Sequence, residues 1–128
     1  MAKNVRERAI NHAENKDKRP HASAKYVRMS PTKAKRVLDI IRGKKYVEAA
    51  AICANIPHEA ATVILKVLNS AAANAENNLG LSKDDLYVAE CCANPGPLLK
   101  RMMARAKGRG TRILKRTTHI EVVLDTVK

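Results

Sequence analysis

Residues 86–124 run LYVAECCANPGPLLKRMMARAKGRGTRILKRTTHIEVVL, and both ends of this stretch alternate with period 2. Leu86 to Asn94 reads as one strand. Thr117 to Leu124 reads as another, with Ile120, Val122 and Leu124 on a common face. Between them lie more than twenty residues centred on the turn-like Ala106-Lys107-Gly108-Arg109-Gly110. That is too long for an ordinary hairpin loop. The segment at about 94–119 is therefore expected to be a β-hairpin whose arms leave the core, reaching roughly 30 Å for about ten residues at ~3.3 Å each. Side chains alternate along such an arm, so Lys100 and Met102 should face one way, Arg101 and Met103 the other. An isolated two-stranded ribbon is marginal in water, and this one should depend on a partner for its order.

Upstream the period lengthens to 3.6. Ala22 to Arg28 looks like a short strand. Ser30-Pro31 then has the form of a helix start: Ser as N-cap accepting from an early amide, Pro at the first helical position where its missing N–H is not needed. Ala34, Val37, Leu38 and Ile41 fall at i, i+3, i+4 and i+7, one face of that helix. Gly43 stops it, with Arg42 and Lys44 beside the negative end of the dipole. A second helix spans roughly Tyr46 to Asn55. A third and longest runs from about Pro57 to Asn78, with Ala60, Ile64, Val67, Leu68, Ala71 and Ala75 on one stripe and Gly80 closing it. Alanines so placed argue for close packing against neighbours. The expected class is α+β: three helices packed on a small antiparallel sheet with a long protruding β-hairpin. Residues 1–20 read as a flexible basic N-terminal extension and 21–128 as a single domain.

The charge points to the partner. The 128-residue chain carries 25 Lys and Arg against 12 Asp and Glu, a formal net charge of +13. Residues 1–45 are net +10, residues 46–90 net −4 and residues 91–128 net +7. Between Glu90 and Glu121 there is no acid, but there are eight bases. Solvated faces usually mix both signs, so a mildly acidic, apolar middle between two cationic flanks reads as a core flanked by polyanion-binding segments. Lys25, Arg28, Lys33, Lys35, Arg36, Arg42 and Lys44 in the first flank are candidate RNA contacts. Arg105, Lys107, Arg109, Arg112, Lys115 and Arg116 are their counterparts in the second. A membrane is not the expected partner: the longest apolar run, Ala49 to Ala54, is far short of the roughly 20 residues a spanning helix needs. The first twenty residues have no apolar h-region, and Glu7, Glu14 and Asp17 sit among the bases, unlike a transit peptide. The protein is expected to stay in the cytoplasm.

No chemistry of an enzyme emerges. Cys53, Cys91 and Cys92 are an odd number and give no disulfide framework. Cys91 and Cys92 are adjacent, so on a strand they point apart. No Cys-x-x-Cys or His-x-x-x-His spacing exists, and His12, His21, His58 and His119 are scattered. His119 reads as a half-exposed strand residue or a phosphate contact. Asp84-Asp85 is the one adjacent acidic pair, in a turn. Neither Gly108-x-Gly110 nor Arg42-Gly43-Lys44 is a Walker loop, which needs Gly-Lys-Ser/Thr leading into a helix. No cofactor, metal or catalytic residue is expected. Nor does the chain offer the aromatics of single-strand readers: it has no Phe, no Trp and three tyrosines, Tyr26, Tyr46 and Tyr87, all assigned to the body. Binding should rest on Arg and Lys meeting phosphates and on fit to a large structured RNA. Lys107-Gly108-Arg109-Gly110 is similar to a DNA-binding AT-hook but lacks the proline after its Gly-Arg step.

Six ordered blocks carry a resemblance. They are Lys25-Tyr26-Val27-Arg28-Met29-Ser30-Pro31 with Lys33-Ala34, Asp39-Ile40-Ile41-Arg42-Gly43-Lys44, Ser70-Ala71-Ala72-Ala73-Asn74-Ala75-Glu76-Asn77-Asn78, Gly96-Pro97 with Lys100-Arg101, Arg105-Ala106-Lys107-Gly108-Arg109, and Arg112-Ile113-Leu114-Lys115-Arg116-Thr117-Thr118-His119-Ile120. With these blocks the chain resembles the large-subunit ribosomal protein L-twenty-two family from about His21 to Leu124. The resemblance implies a body near the outlet of the peptide exit tunnel and a hairpin threading ribosomal RNA to line that tunnel near its narrowest point, opposite ribosomal protein L-four. It also implies a part in subunit assembly, and contact with nascent peptide and macrolides near the hairpin tip. By residue it assigns Lys100 and Arg101 to the outgoing arm and Arg105, Lys107 and Arg109 to the tip, with Leu99, Lys100, Arg101 and Met102 as tunnel-lining candidates. Two positions depart from the family pattern: Ala104 where many members have Pro, and Gly110 where many have Ala. The competing classes are a free nucleic-acid-binding regulator, which gains little from a long cationic arm without aromatics, and a small RNA-modifying enzyme, which needs a cofactor site.

Overall fold

The structure, a computed structural model, describes residues 2–14 and 17–126. In order the elements are α1 (Ala2–Glu14), β1 (His21–Val27), α2 (Pro31–Ile41), α3 (Tyr46–Asn55), α4 (Glu59–Leu79), a 3-10 turn (Lys83–Asp85), β2 (Leu86–Pro95), β3 (Leu99–Ala104), a second 3-10 turn (Ala106–Gly108), β4 (Gly110–Lys115) and β5 (Thr118–Thr126).

The core follows from the two apolar periods. On α2 the stripe Ala34, Val37, Leu38 and Ile41 is buried, as its spacing predicts. On α4 the stripe widens to include Ala61 and Ala72, both fully buried with Ile64, Leu68, Ala71 and Ala75. From β5 come Ile120, Val122 and Leu124, and from β2 Leu86, Val88 and Cys91. Each fully buried Leu, Ile or Val contributes roughly 1.5–3 kcal/mol relative to exposure. The sheet order is β1-β5-β2, antiparallel throughout, with β5 central. α2 packs on β2, and α4 on β1 and β5. The opposite sheet face shows Ser23, Cys92 and Glu121 to solvent.

Helix ends are made by backbone more than by side chains. Ser30 stands at the N-cap of α2 with extended φ and ψ, but its hydroxyl makes no cap bond, contrary to expectation. Its carbonyl accepts instead from the Lys33 and Ala34 amides at 3.1 and 3.3 Å. Gly43 takes φ 75°, where a side chain is disfavoured. That turn lets the Gly43 amide donate to the Val88 carbonyl and the Val88 amide to the Lys44 carbonyl, both at 2.9 Å, tying the end of α2 to β2.

Three further features differ from the sequence expectation. The described residues form four helices rather than three, because α1 lies inside the segment read as a basic extension. Its Val5 and Ile10 are exposed. The alternation of β2 breaks at a bulge between Val88 and Glu90, which moves the inward position from residue 90 to Cys91. The paired part of the projecting ribbon is six residues per arm, not ten, because Gly96 to Leu98 and Arg116 to Thr117 form a joint between the two sheets.

Candidate nucleic-acid interface

The hairpin is fastened to the body at that joint. The Gly96 amide donates to the Thr117 carbonyl at 2.9 Å. The Thr117 hydroxyl donates to the Pro97 carbonyl at 2.7 Å, and the Thr118 hydroxyl to the Met29 carbonyl at 3.1 Å. Both threonines are buried, so these bonds are shielded from water. A Cβ on Gly96 would stand 2.5 Å from the Thr117 hydroxyl and 3.2 Å from the His119 ring, which leaves no room for a side chain.

Beyond the joint, every residue from Pro97 to Arg116 is exposed except half-buried Ile113. The register pairs Leu99 with Lys115, Lys100 with Leu114, Arg101 with Ile113, Met102 with Arg112, Met103 with Thr111 and Ala104 with Gly110. One face thus carries Leu99, Arg101, Met103, Thr111, Ile113 and Lys115. The other carries Lys100, Met102, Ala104, Gly110, Arg112 and Leu114. Lys100 lies with Met102 and Arg101 with Met103, as alternation predicts. At the tip Lys107 and Gly108 both take positive φ, 58° and 69°, and the Arg105 amide closes the turn on the Arg109 carbonyl at 2.8 Å. Three of the tip's five residues, Arg105, Lys107 and Arg109, are exposed bases.

Among the described residues nothing neutralises the charge of this ribbon. Ion pairs among the described residues use Arg19, Arg42 and Lys83, and none uses a hairpin base. On the body, Lys33, Lys35 and Arg36 lie on the outward face of α2, opposite its buried stripe. Lys25 and Arg28 are exposed near the hairpin joint, and Lys44 is half-buried. Arg42 differs from the rest. Its guanidinium donates to the Asp39 carboxylate at 2.8 Å and to the Cys91 carbonyl at 3.0 Å, so it clamps α2 to β2. Arg19 plays a similar part, bridging Asp17 and Glu90 at 2.6 and 2.8 Å. Its hydrogen bonds hold the Asp17 carboxyl at about 2, below the usual range.

Tyr26 is the residue the sequence did not single out. It has φ 58°, a left-handed backbone that an aromatic residue seldom adopts, at a strain of roughly 1–2 kcal/mol. It sits where the β1–β5 register shifts between Ala24 and Val27. Its amide donates to His119 Nδ1 at 3.0 Å, and the two rings meet edge to face with centroids 4.8 Å apart. Nothing in the sequence spacing reports a positive φ.

The three cysteines are held as thiols. Burial pushes the thiols of Cys53, Cys91 and Cys92 up, which keeps them protonated at neutral pH. We expect maleimide at pH 7 to label exposed Cys92 slowly, with Cys53 and Cys91 reacting only after unfolding. Rapid modification of all three in the native protein would contradict this packing. Among the described residues no group of three or more His, Cys, Asp or Glu could hold a metal ion. No helix among them is long and apolar enough to cross a membrane.

A small α+β body with a long, exposed ribbon of bases has the build of a ribosomal protein. The comparisons agree: the chain belongs to the family described as Ribosomal protein L22p/L17e, which matches residues 22–125. It is 57% identical over 103 residues to the large ribosomal subunit protein uL22 of Clostridium novyi (strain NT), covering 80% of this chain and 93% of that protein. With the large ribosomal subunit protein uL22 of Clostridioides difficile (strain 630) it shares 53% over 107 residues, 84% of this chain and 96% of the other. As a member of this family it is a structural constituent of the large ribosomal subunit and not an enzyme, and its partners are ribosomal RNA and other ribosomal proteins.

Proposed function

We propose that the chain binds large-subunit ribosomal RNA through its two cationic flanks, lines the peptide exit tunnel with its hairpin tip opposite ribosomal protein L-four, and assists subunit assembly. The observation that carries this reading is the ribbon from Pro97 to Arg116, exposed along almost its whole length and bearing eight bases with no intramolecular carboxylate partner among the described residues. A ribbon that buries so little of its own surface is ordered by what surrounds it.

Both flat faces of the ribbon carry bases, so neither is purely a lumen face. Of the tunnel-lining candidates, Leu99 and Arg101 share one face and Lys100 and Met102 the other. Exposure of the turn and of both edges supports a tunnel contact that extends from these candidates to the distal end, around Met102 to Arg109. Bases turned toward RNA give affinity. Groups turned toward the lumen set its width and its field for nascent peptide and macrolides.

The test is a salt titration of the full chain on large-subunit rRNA. If about six bases meet phosphates, log K should fall with log salt at a slope of roughly −4 to −5. A slope shallower than about −2 would mean that phosphate contacts do not dominate.

A further inference from the structure

We propose that Tyr26 is a stacking platform for one unpaired nucleobase, set where the hairpin leaves the body. The proposal rests on the RNA-binding reading above and adds to it a contact that does not depend on charge.

Three observations converge on this side chain. It is 63% exposed, whereas Tyr46 and Tyr87 are half-buried and Tyr46 packs against the core with its hydroxyl donating to Asn69. It is held in a left-handed backbone conformation that Gly or Asn would occupy with less strain, so stability of the body is not what recommends a tyrosine there. And it is fixed in place: its amide is bonded to His119 Nδ1, and its ring meets the imidazole at 90°. An imidazole set at 90° covers at most one face of the phenol ring, and the residue as a whole is largely exposed. A rigid aromatic with an open face has little to lose in ordering when a flat ring settles on it.

The surroundings suit a nucleotide. Lys25 and Arg28 flank Tyr26 in sequence and are exposed. Arg116, also exposed, lies two residues before Thr118, the partner of Val27 across the β1–β5 ladder. The base would stack on the phenol ring while these cations meet the phosphates on either side. Every base has a π-face, so the platform selects an unpaired, splayed nucleotide rather than a sequence.

The test uses the full chain, transcribed large-subunit rRNA as probe, and four variants. Tyr26→Leu should lower affinity roughly 5- to 100-fold, the range of one lost base stack, without altering the salt slope. Tyr26→Phe should bind like the parent. Tyr26→Gly should melt within a few degrees of the parent, because relief of the positive φ offsets the extra freedom of an unfolded glycine. It should nevertheless lose as much affinity as Tyr26→Leu. Lys25→Gln should flatten the slope by about 1, which reports on phosphate contact alone. In chemical probing, one unpaired base should be protected by the parent and by Tyr26→Phe but reactive with Tyr26→Leu. The proposal is overturned if Tyr26→Leu and Tyr26→Gly bind like the parent, if Tyr26→Phe loses as much as Tyr26→Leu, or if the losses track the salt slope. Should Lys25→Gln flatten the slope while Tyr26→Leu changes nothing, the stacking site falls and the RNA-binding reading stands. Should the parent itself fail to bind the rRNA, both fall.

Discussion

Replacing Leu68 by alanine should destabilise the body by about 2–5 kcal/mol, toward the upper end of what a buried leucine supports. Leu68 is fully buried on α4, in the core that joins the helices to the sheet. The loss has two parts: the transfer of the missing carbons and the hole they leave. The second part depends on whether neighbours can move in. Here they cannot move far. Ala61, Ala71, Ala72 and Ala75 on the same helix are fully buried, so its backbone already lies close to its neighbours and cannot sink further to fill a gap. A thermal melt followed by circular dichroism should drop by roughly 10 °C or more. Lys66→Ala, on the exposed side of α4, should stay within about 0.5 kcal/mol of the parent. A Leu68→Ala protein melting within about 3 °C of the parent would show that α4 is not the centre of the core.

How much of this was legible beforehand depends on which physical signal carried it. Stripes were legible because burial imposes a period: the buried faces of α2 and β5 consist of the residues their spacing names. The strand pair flanking the hairpin was legible for the same reason, and the charge flanks needed only counting. What escaped lies where no period exists. The bulge in β2 puts Cys91 in place of Glu90 at the inward position, a shift that comes from pairing with β5 and not from the alternation itself. Ser30 occupies the N-cap but leaves the bonding to its own carbonyl, a choice of rotamer that composition does not encode. The described side chains of α1, residues 5–11, are all exposed, so they show no apolar stripe of the kind that marks α2. Within the candidate site, counting charges located the cationic segments but not what each base does in the fold. Arg42 looks in sequence like any other flank base, yet the fold employs it to hold α2 against β2. Tyr26 was assigned to the body, and the strand bulge that turns it outward arises from pairing with β5, a contact distant in sequence.

Excising residues 98–115 and joining Pro97 to Arg116 through a short glycine turn should leave the body folded and remove most of its grip on RNA. The excision spares the joint, because the Gly96 amide, the Pro97 carbonyl and both threonine hydroxyls keep their partners. It removes no residue of the buried core, and loop-closure entropy changes only slowly with loop length, by about 0.6 kcal/mol per doubling. The melting temperature should therefore stay within a few degrees of the parent's. The same cut takes away seven bases and no acid. If at least three of those bases meet phosphates, at ~0.7–0.9 in slope for each, the salt dependence should become shallower by about 2 or more. If the distal turn lines the tunnel as proposed, large subunits that incorporate the shortened chain should then respond differently to macrolides, or stall differently on an arrest peptide. The two halves of the expectation can fail separately. A molten or insoluble product would mean that the ribbon contributes to the core despite its exposure. A folded product that keeps the parent's salt slope would move the RNA contacts to α2 and the hairpin joint. Normal assembly with unchanged drug response and stalling would argue against a tip in the tunnel wall, while leaving the proposed RNA contacts of the body standing.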